Sequence, residues 1–261
     1  MDQQGRRFDG QVAFVTGAGN GIGRAIALRL AAEGAAVGIA TLDPDEGARV
    51  RQECADLGAT AAVQIGDLGD AAFVRQAHDG LVAELGPADV IVNNVGIAEN
   101  VLFVDSDDDV YERIFAVNFM TAVRLTRLAL PSMLAKGAGS VVSIGSDQGA
   151  MGWEGFNAYS ASKGAISSWS RQLANEYGRA GVRFNVVIPG ATLTPMNLAR
   201  IAEEGDDLTT RSANLHIIPR MGRPEEVAAA VAFVASTDAS FITGEEIHAD
   251  GGTTVKAHWY V

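Results

Sequence analysis

A tyrosine and a lysine stand four positions apart in residues 159–163 (YSASK). On a helix this spacing puts Tyr159 and Lys163 on one face, with Cβ atoms roughly 6 Å apart. A free phenol has a pKa of about 10, and an adjacent ammonium group favours the phenolate and lowers that pKa. Such a phenol can give a proton to a ketone oxygen or take one from an alcohol.

Ser146 stands 13 residues before Tyr159, at the end of a predicted strand. That placement can bring the serine hydroxyl beside the phenol, so that both groups reach one carbonyl oxygen. A lone Tyr–Lys spacing usually marks a solvated pair on a helix surface. The serine therefore gives this pair its chemical interpretation.

Glycines are concentrated in residues 16–23 (TGAGNGIG), between the first predicted strand and the first predicted helix. Glycine lets the backbone turn sharply and approach a pyrophosphate closely, and the following helix start offers free N–H groups and a positive dipole end. An ordinary tight turn is the alternative. The position in a strand–helix–strand unit favours a dinucleotide site, although the spacing is G-x-x-x-G-x-G rather than G-x-G-x-x-G.

Short apolar runs alternate with longer segments of helical period along the chain. Strands are predicted at residues 11–16, 36–40, 61–65, 89–92, 140–144, 183–188 and 246–248. Helices are predicted at residues 21–33, 44–57, 71–85, 107–135, 156–180 and 224–235. Because each crossover between parallel strands needs a helix, the pattern predicts an α/β, Rossmann-type doubly wound parallel sheet of about seven strands.

Domain organisation follows from the same alternation. No linker rich in Pro, Ser or Gly divides the chain, so residues 1–261 are predicted to form a single dinucleotide-binding and catalytic domain. One long insertion, at about residues 194–220, interrupts the alternation after a strand. Ligands bind at that edge of open α/β sheets, so we expect the insertion to shape the substrate pocket.

Composition excludes several classes of partner. The 261 residues carry a net charge of −12 with a pI near 4.7, which argues against nucleic acid and anionic membrane surfaces. No run of 18 apolar residues and no apolar N-terminal stretch is present, so a cytoplasmic protein is predicted. Cys54 is the only cysteine, and the four histidines lack metal-ligand spacing. No metal is therefore predicted.

Together these motifs resemble the classical short-chain dehydrogenases/reductases, from about residue 10 to residue 252. The resemblance rests on motifs in the family's order: TGAGNGIG at 16–23, NNVG at 93–96, Asn118, Ser146, YSASK at 159–163 and PG at 189–190. Val95 replaces the family's usual alanine and adds bulk. The resemblance implies hydride transfer between a nicotinamide dinucleotide and the carbinol carbon of an alcohol/ketone pair.

The resemblance also implies roles for individual residues. The catalytic residues would be Asn118, Ser146, Tyr159 and Lys163: the serine polarises the substrate oxygen, the lysine also holds the nicotinamide ribose, and the asparagine carries a water-linked proton relay. From the residues alone, a packed helix-interior asparagine is the alternative for Asn118. The implied cofactor contacts are Gly17, Asn20, Gly21, Ile22, Gly23, Thr41, Asp43, Asp67, Leu68, Asn94, Gly96, Tyr159, Lys163, Pro189, Gly190, Thr192 and Thr194.

The choice between NAD and NADP is read at the end of the second strand. The family's NAD-selecting aspartate falls at Thr41, and this chain lacks it. No arginine or lysine stands at Thr41, Leu42 or Asn20 to hold a 2′-phosphate. Asp43 can reach the ribose hydroxyls or merely cap the next helix. Because Asp43, Asp45 and Glu46 make this corner acidic, NAD is predicted, and NADP remains the second choice.

The predicted substrate contacts come from the loop after Ser146 and from the insertion. They are Ser146, Gln148, Met151, Trp153, Phe156 and Met196, with Leu193 and Leu198 as further candidates. This mixture predicts a small-molecule substrate, a mainly apolar ketone or secondary alcohol. For Trp153 and Met196, a role in the core or in an oligomer contact is equally open.

Two other functions compete with this prediction. An NADPH-dependent 3-oxoacyl-(acyl-carrier-protein) reductase of the same fold would want a basic mouth for its acidic carrier, and no basic patch is evident. A non-catalytic dinucleotide-binding protein would predict a broken catalytic set, and this set is whole.

The resemblance further implies a homotetramer, paired through the two long helices and through the last helix with the last strand. The apolar tail, residues 253–261, is a candidate for a contact with a neighbouring subunit.

Overall fold

One parallel sheet organises the part of the chain that the computed structural model describes, residues 6–204 and 206–256 apart from the side chains at positions 200, 203–204 and 206–209. Its strands are β1 (Val12–Thr16), β2 (Ala36–Thr41), β3 (Ala61–Ile65), β4 (Val90–Asn93), β5 (Gly139–Ile144), β6 (Val182–Pro189) and β7 (Glu246–Ala249). They pair in the order β3-β2-β1-β4-β5-β6-β7, and every pair is parallel. The predicted Rossmann-type doubly wound sheet is confirmed.

Helices cover both faces of the sheet, which is why the strands are almost continuously apolar. In chain order they are α1 (Gly21–Ala32), α2 (Pro44–Asp56), α3 (Ala71–Leu85), α4 (Asp108–Phe115), α5 (Thr121–Lys136), α6 (Asn157–Tyr177), α7 (Pro195–Glu204), α8 (Asp206–Leu215) and α9 (Pro224–Ala235). Side chains of α1, α2 and α9 pack into the core on one face. Side chains of α3, α5 and α6 pack on the other. Cys54 is buried in the first of these cores, where burial raises its thiol pKa to about 11.

The long helix predicted at residues 107–135 is continuous but contains one wide π-helical turn, Ala116–Met120, between α4 and α5. Apolar periodicity could not show this, because an extra residue in one turn hardly disturbs the buried stripe. Such turns occur often at functional sites. Here the turn contains Asn118, whose side chain is buried.

The insertion contains two helices, α7 and α8, for which no element was predicted. Thr194 and Pro195 give α7 a recognisable start, because proline fits the first helical turn and the Thr194 hydroxyl accepts a hydrogen bond from the Asn197 amide at 3.3 Å. After α8, the amides of Ile217 and Ile218 donate to the Gly251 carbonyl at 2.9 and 3.0 Å. The insertion is therefore fixed to the end of β7.

Two other sequence predictions concern membranes and the C-terminus. The continuous helix Asp108–Lys136 is long and apolar enough to cross a bilayer by length and composition alone. Its inner face packs into the core through Leu125, Ala129 and Met133. The end of the tail, residues 257–261, lies outside the described residues.

Arg183 of β6 connects the sheet to the carboxyl end of α9. Its guanidinium donates hydrogen bonds of 2.8 to 3.2 Å to the carbonyls of Val234, Ala235, Ser236 and Ile242. A cation at this end also complements the helix dipole. Arg183→Leu should therefore lower the free energy of unfolding by about 3 kcal/mol in urea denaturation. Arg179→Leu, at an exposed position of the same charge, is the control, and equal losses in both variants would contradict this role.

Candidate active site

A cavity of about 1110 Å³ opens at the carboxyl edge of the sheet. Its walls come from the loops that follow β1, β2, β3, β4, β5 and β6, with α7 and α8 closing one side. The volume exceeds that of most small-molecule pockets, about 300–1,000 Å³. It is large enough for two ligands side by side.

The cavity brings together nearly all of the predicted cofactor and substrate residues. Those that line it are Gly17, Asn20, Gly21, Ile22, Gly23, Thr41, Asp43, Asp67, Leu68, Asn94, Gly96, Ser146, Gln148, Trp153, Phe156, Tyr159, Lys163, Pro189, Gly190, Thr192, Thr194 and Met196. They come from the loops that follow six strands and from the ends of the strands and helices next to those loops, with Tyr159 and Lys163 on α6. Their assembly follows from the strand order, which puts β1, β4 and β5 at the centre of the sheet.

Three predicted substrate contacts, Met151, Leu193 and Leu198, are not among the residues that line this cavity. The chain makes a tight turn at Asp147–Gly149, and the amide of Met151 donates to the Asp147 carbonyl at 2.9 Å. This turn leaves Met151 outside the cavity. Further along, Trp153 and Phe156 come back to line it.

The glycine loop forms a cradle at the start of α1. Gly17 and Gly21 have φ angles of +63° and +52°, a region that other residues rarely adopt. A Cβ atom on Gly23 would collide with the Gly17 carbonyl oxygen and the Asn94 amide. The Asn94 side chain in turn donates to the carbonyls of Thr16 and Gly17 at 2.9 and 3.1 Å. The backbone N–H groups at the helix start therefore stay open to an anionic ligand such as a pyrophosphate.

At the end of β2 the cavity wall is acidic, as predicted, and two of its carboxylates, those of Asp43 and Glu46, have defined hydrogen-bond partners. The Asp43 carboxylate caps α2 by accepting from the amides of Asp45 and Glu46 at 2.8 and 3.0 Å. The Glu46 carboxylate accepts from the Asn20 amide at 2.9 Å. A Cβ atom on Gly19 would lie only 2.6 Å from Glu46 Oε2, so this carboxylate lies against the glycine loop.

Arg49, one turn further along α2, was not a predicted site residue. Its guanidinium donates to the carbonyl of Gly19 at 3.0 Å. A cation therefore lies close to the same corner, although Arg49 does not line the cavity. The position of Arg49 three residues after Glu46 is the sequence signal that places both on one helix face.

Asp67 and Leu68 line the cavity beyond the end of β3. The Asp67 carboxylate accepts from the amide of Gly69 at 2.8 Å, which is the contact of an ordinary turn aspartate. Its other oxygen remains available for a ligand donor. Leu68 is buried beneath it.

At the other end of the cavity, Ser146, Tyr159 and Lys163 converge. The Lys163 ammonium donates to the carbonyl of Ile144, the last residue of β5, at 2.8 Å and lies 5.6 Å from the centroid of the Tyr159 ring. Phe156 packs edge-on against the same ring at 6.4 Å. Burial lowers the pKa of Lys163 to about 8.

The pKa of Tyr159 differs from the sequence prediction. Its pKa is raised to about 12: burial is the largest cause, the hydrogen bond with the Ser146 hydroxyl opposes it, and the charge of Asp147 adds a smaller rise. The ammonium of Lys163 was expected to lower this pKa, but in the protein alone the loss of water around the phenol outweighs any such effect. The phenol is therefore protonated across the neutral pH range.

Asn118 does not line the cavity but lies just behind it. Its side-chain oxygen accepts from the amide of Ile97 at 2.8 Å, and its nitrogen donates to the Ile97 carbonyl and to Ser162 Oγ at 2.9 and 3.1 Å. A Cβ atom on Gly96 would lie 3.5 Å from both Asn118 Oδ1 and Lys163 Nζ. Asn118 thus secures the loop after β4 and faces the same glycine as the lysine.

The loop after β6 completes the cavity. A Cβ atom on Gly190 would lie 2.7 Å from His216 Nε2 and 2.8 Å from the Asp250 carbonyl oxygen, which explains why a glycine follows Pro189. The Thr192 hydroxyl donates to the Gly190 carbonyl at 2.9 Å, and the side-chain nitrogen of Asn197 donates to the Thr192 carbonyl at 2.8 Å. The backbone of this loop is therefore held rigidly.

Several lining residues were missed by sequence reasoning. Asp147, only 7% exposed, accepts a hydrogen bond from the Ser146 hydroxyl at 3.1 Å. The insertion adds Asn197, Ile201, Ser212 and Leu215 from α7 and α8.

Among the described side chains that line the cavity, Lys163 is the only cation, against the acidic Asp43, Glu46, Asp67, Glu99 and Asp147. No group of three or more potential metal ligands occurs in the described part of the chain.

Similarity to known proteins agrees with this geometry. A family model described as Enoyl-(Acyl carrier protein) reductase matches residues 17–254. The chain is 37% identical over 247 residues to the 3-oxoacyl-[acyl-carrier-protein] reductase FabG of Salmonella typhimurium, a match that covers 94% of this chain and 98% of the relative. It is 33% identical over 254 residues to the cyclohexanol dehydrogenase of an Acinetobacter species, covering 96% of this chain and 97% of that protein.

Among solved structures, the chain resembles a blue fluorescent protein from a metagenomic library, determined in complex with NADPH. The TM-score is 0.89 at 34% identity, over 95% of this chain and 100% of the other. The chain therefore belongs to the short-chain dehydrogenase/reductase family and is an oxidoreductase that uses a nicotinamide dinucleotide cofactor.

Proposed function

We propose that the protein is an alcohol dehydrogenase or ketone reductase that acts on a small secondary alcohol/ketone pair with NAD as its preferred cofactor. The observation that carries this proposal is the convergence of Ser146, Tyr159 and Lys163 in one cavity with the glycine cradle. A non-catalytic dinucleotide-binding protein has no need of that convergence. The relative named cyclohexanol dehydrogenase supports the substrate class.

In the proposed reaction the chain's own groups orient the substrate and move one proton. When bound, the nicotinamide ring supplies or accepts the hydride. Ser146 donates to the substrate oxygen, and Tyr159 gives a proton to that oxygen in reduction or removes one in oxidation. In the protein alone the pKa of Tyr159 is about 12, so the resting phenol is ready to act as an acid. Oxidation requires the positive charges of Lys163 and the oxidised ring to lower this pKa.

The residues that would hold the cofactor divide along the cavity. The cradle from Gly17 to Gly23 would receive the pyrophosphate, Asp67 and Leu68 the adenine, and Thr192 and Thr194 the nicotinamide carboxamide. Lys163 would hold the nicotinamide ribose. Asn118 would extend a proton relay from Lys163 through water, since its side-chain oxygen has a lone pair beyond the one that Ile97 uses.

The preference for NAD rests on charge at the end of β2. A 2′-phosphate there would meet the carboxylates of Asp43 and Glu46, and like charges at close range are repelled. Arg49 offers a partial counterweight near Gly19, and a structural relative holds NADPH. The two acids line the cavity and Arg49 does not, so we give the acids more weight.

Glu46→Gln tests this preference. Removing one negative charge should raise kcat/KM for NADP⁺ about tenfold, equivalent to ~1.4 kcal/mol, and change the value for NAD⁺ by less than about twofold. Initial rates of reduced cofactor formation measure both. Glu53→Gln is the matched control, because Glu53 lies on the same helix, pairs with Arg24 and does not line the cavity. An unchanged NADP⁺ value in Glu46→Gln would contradict the charge argument.

A 3-oxoacyl-(acyl-carrier-protein) reductase is the second candidate, favoured by the similarity to FabG. An acidic carrier protein would approach a cavity whose described lining carries five acids and one lysine. That charge balance opposes docking of an acidic partner. We therefore rank this function second.

The direct test is a set of initial rates with NAD⁺ and NADP⁺ separately, against aliphatic and cyclic secondary alcohols at mildly alkaline pH. Turnover with NAD⁺ supports the proposal. Turnover only of 3-oxoacyl thioesters, with NADPH, would move the second candidate to first place. Rates at the level of a Tyr159→Phe variant for every substrate would favour a binding protein.

For assembly we propose a homotetramer in the cytoplasm, as the family resemblance implies. Apolar side chains on the proposed interface elements support it. Phe233 on α9 and Phe241 before β7 are 39% and 103% exposed. Exposed apolar patches usually mark contacts between subunits.

A further inference from the structure

One buried carboxylate in the cavity has no part in the proton transfer described above. Asp147 follows Ser146 directly and lines the cavity, yet it is only 7% exposed. A carboxylate accepts up to about four hydrogen bonds, and removing it from water is costly unless those sites are filled. The Ser146 hydroxyl supplies one at 3.1 Å, and the backbone amide of Gln148 contributes another. Burial accordingly raises the pKa of this carboxyl.

Two other residues of the cavity lining also have buried polar atoms. Gln148 Oε1 and Trp153 Nε1 are buried without a hydrogen-bond partner among the described residues. Both residues line the cavity. Buried polar atoms are nearly always paired in folded proteins. The reacting end of the cavity is therefore more polar than a pocket for a purely hydrocarbon ketone requires.

Geometry limits where a partner for Asp147 can lie. The Ser146 hydroxyl has one proton, so it must turn from Asp147 to hold a substrate oxygen, and the carboxylate then lacks that donor. A substrate oxygen held by Ser146 at an ordinary hydrogen-bond length of about 2.7 Å is at most about 6 Å from Asp147 Oδ1, because Ser146 Oγ and Asp147 Oδ1 are 3.1 Å apart. One hydroxyl group fits in that interval with a hydrogen-bond length on each side. On the substrate, that position belongs to a hydroxyl on the carbon next to the reacting one.

We propose that Asp147 selects vicinal diols and the matching α-hydroxy ketones by accepting a hydrogen bond from the second hydroxyl. This proposal rests on the proposed alcohol dehydrogenase function and names its substrate class. The carboxylate also disfavours a substrate with a carboxylate at the same position, because two like charges would be buried together. A site built to bind a hydroxyl rejects an analogue that lacks it, because the buried polar group is then left unpaired.

Three cyclic alcohols of one scaffold test the proposal: cyclohexanol, trans-cyclohexane-1,2-diol and trans-2-methoxycyclohexanol. The measurement is kcat/KM for each with saturating NAD⁺, repeated with NADP⁺. We expect the diol to exceed cyclohexanol about tenfold or more. The methoxy compound has a similar inductive effect but no hydrogen-bond donor on the carbon next to the reacting one, so it should be no better than cyclohexanol.

Variants separate Asp147 from the rest of the pocket. Asp147→Leu should bring the ratio of diol to methoxy compound to about one, whereas Asp147→Asn, which keeps an accepting oxygen, should retain part of the preference. Glu99→Gln is the control, since Glu99 is another acid in the cavity lining, and its ratio should match wild type. The ratio cancels any general loss caused by disturbing Ser146.

The outcomes are distinct. Equal values for the diol and the methoxy compound in wild type would overturn the proposal while leaving the dehydrogenase function intact, and this arm needs no variant to fold. A preference that survives Asp147→Leu would also overturn it. Failure of all three alcohols with both cofactors would contradict the proposed function, and the inference would fall with it.

Discussion

Tyr159→Phe should lower kcat/KM for alcohol oxidation about a thousandfold or more, while the affinity for the nicotinamide cofactor stays within about twofold of wild type. The change removes the one hydroxyl that exchanges a proton with the substrate, and general acid–base groups contribute about 10²–10⁴ to a rate. The ring remains. Phe156 at 6.4 Å and the Lys163 ammonium at 5.6 Å keep their contacts with it, so the fold and the cofactor site should persist.

Stopped-flow or steady-state rates give the loss in turnover, and quenching of protein fluorescence by the reduced cofactor gives its affinity. Tyr111→Phe is the matched control. It removes another tyrosine hydroxyl, which donates to Asn157 at 2.7 Å, from a residue that does not line the cavity. A Tyr159→Phe enzyme with wild-type turnover would show that another group moves the proton.

The second large effect is expected at the glycine cradle. Gly23→Ala places a methyl group against the Gly17 carbonyl and the Asn94 side chain. The added methyl group can be accommodated only if the backbone at the start of α1 moves, and the N–H groups of that turn face the cavity. We expect the cofactor affinity to fall about a hundredfold and the melting temperature to drop, because overpacking costs about 1–3 kcal/mol.

Gly152→Ala is the control for this substitution. Gly152 is exposed, its φ angle is ordinary and no atom lies within 4 Å of an added Cβ. Its affinity and melting temperature should match wild type. A Gly23→Ala protein that binds the cofactor normally would mean that the cradle is not the pyrophosphate site.

The sheet was predictable because its signals are local. A buried parallel strand is a short apolar run, so β3 (Ala61–Ile65) was predicted to the residue and the other strands to within a residue or two. Helix α9 was marked by Pro224 at its start. The two helices of the insertion were missed because their helical signals are weak beside a mixture of polar and apolar residues, and Thr194-Pro195 was the one clear start.

The site residues were predictable where they belong to motifs of fixed spacing. They were less predictable where contacts between distant segments determine a side chain's position or its pKa. The glycine loop and the Tyr159–Lys163 pair met in one cavity as expected. No spacing rule revealed that Asp147 accepts from Ser146, or that burial keeps the pKa of Tyr159 high. Met151 does not line the cavity because the chain makes a tight turn at Asp147–Gly149, which no spacing rule indicated.

In the proposed reaction, a hydride passes from the carbinol carbon of a secondary alcohol to the nicotinamide ring. The most direct test uses cyclohexanol deuterated at that carbon, with NAD⁺, and mass spectrometry of the reduced cofactor. We expect one deuterium in the reduced cofactor, and none when the label is on other carbons. Reduced cofactor without deuterium, or no reduced cofactor from any secondary alcohol, would contradict it.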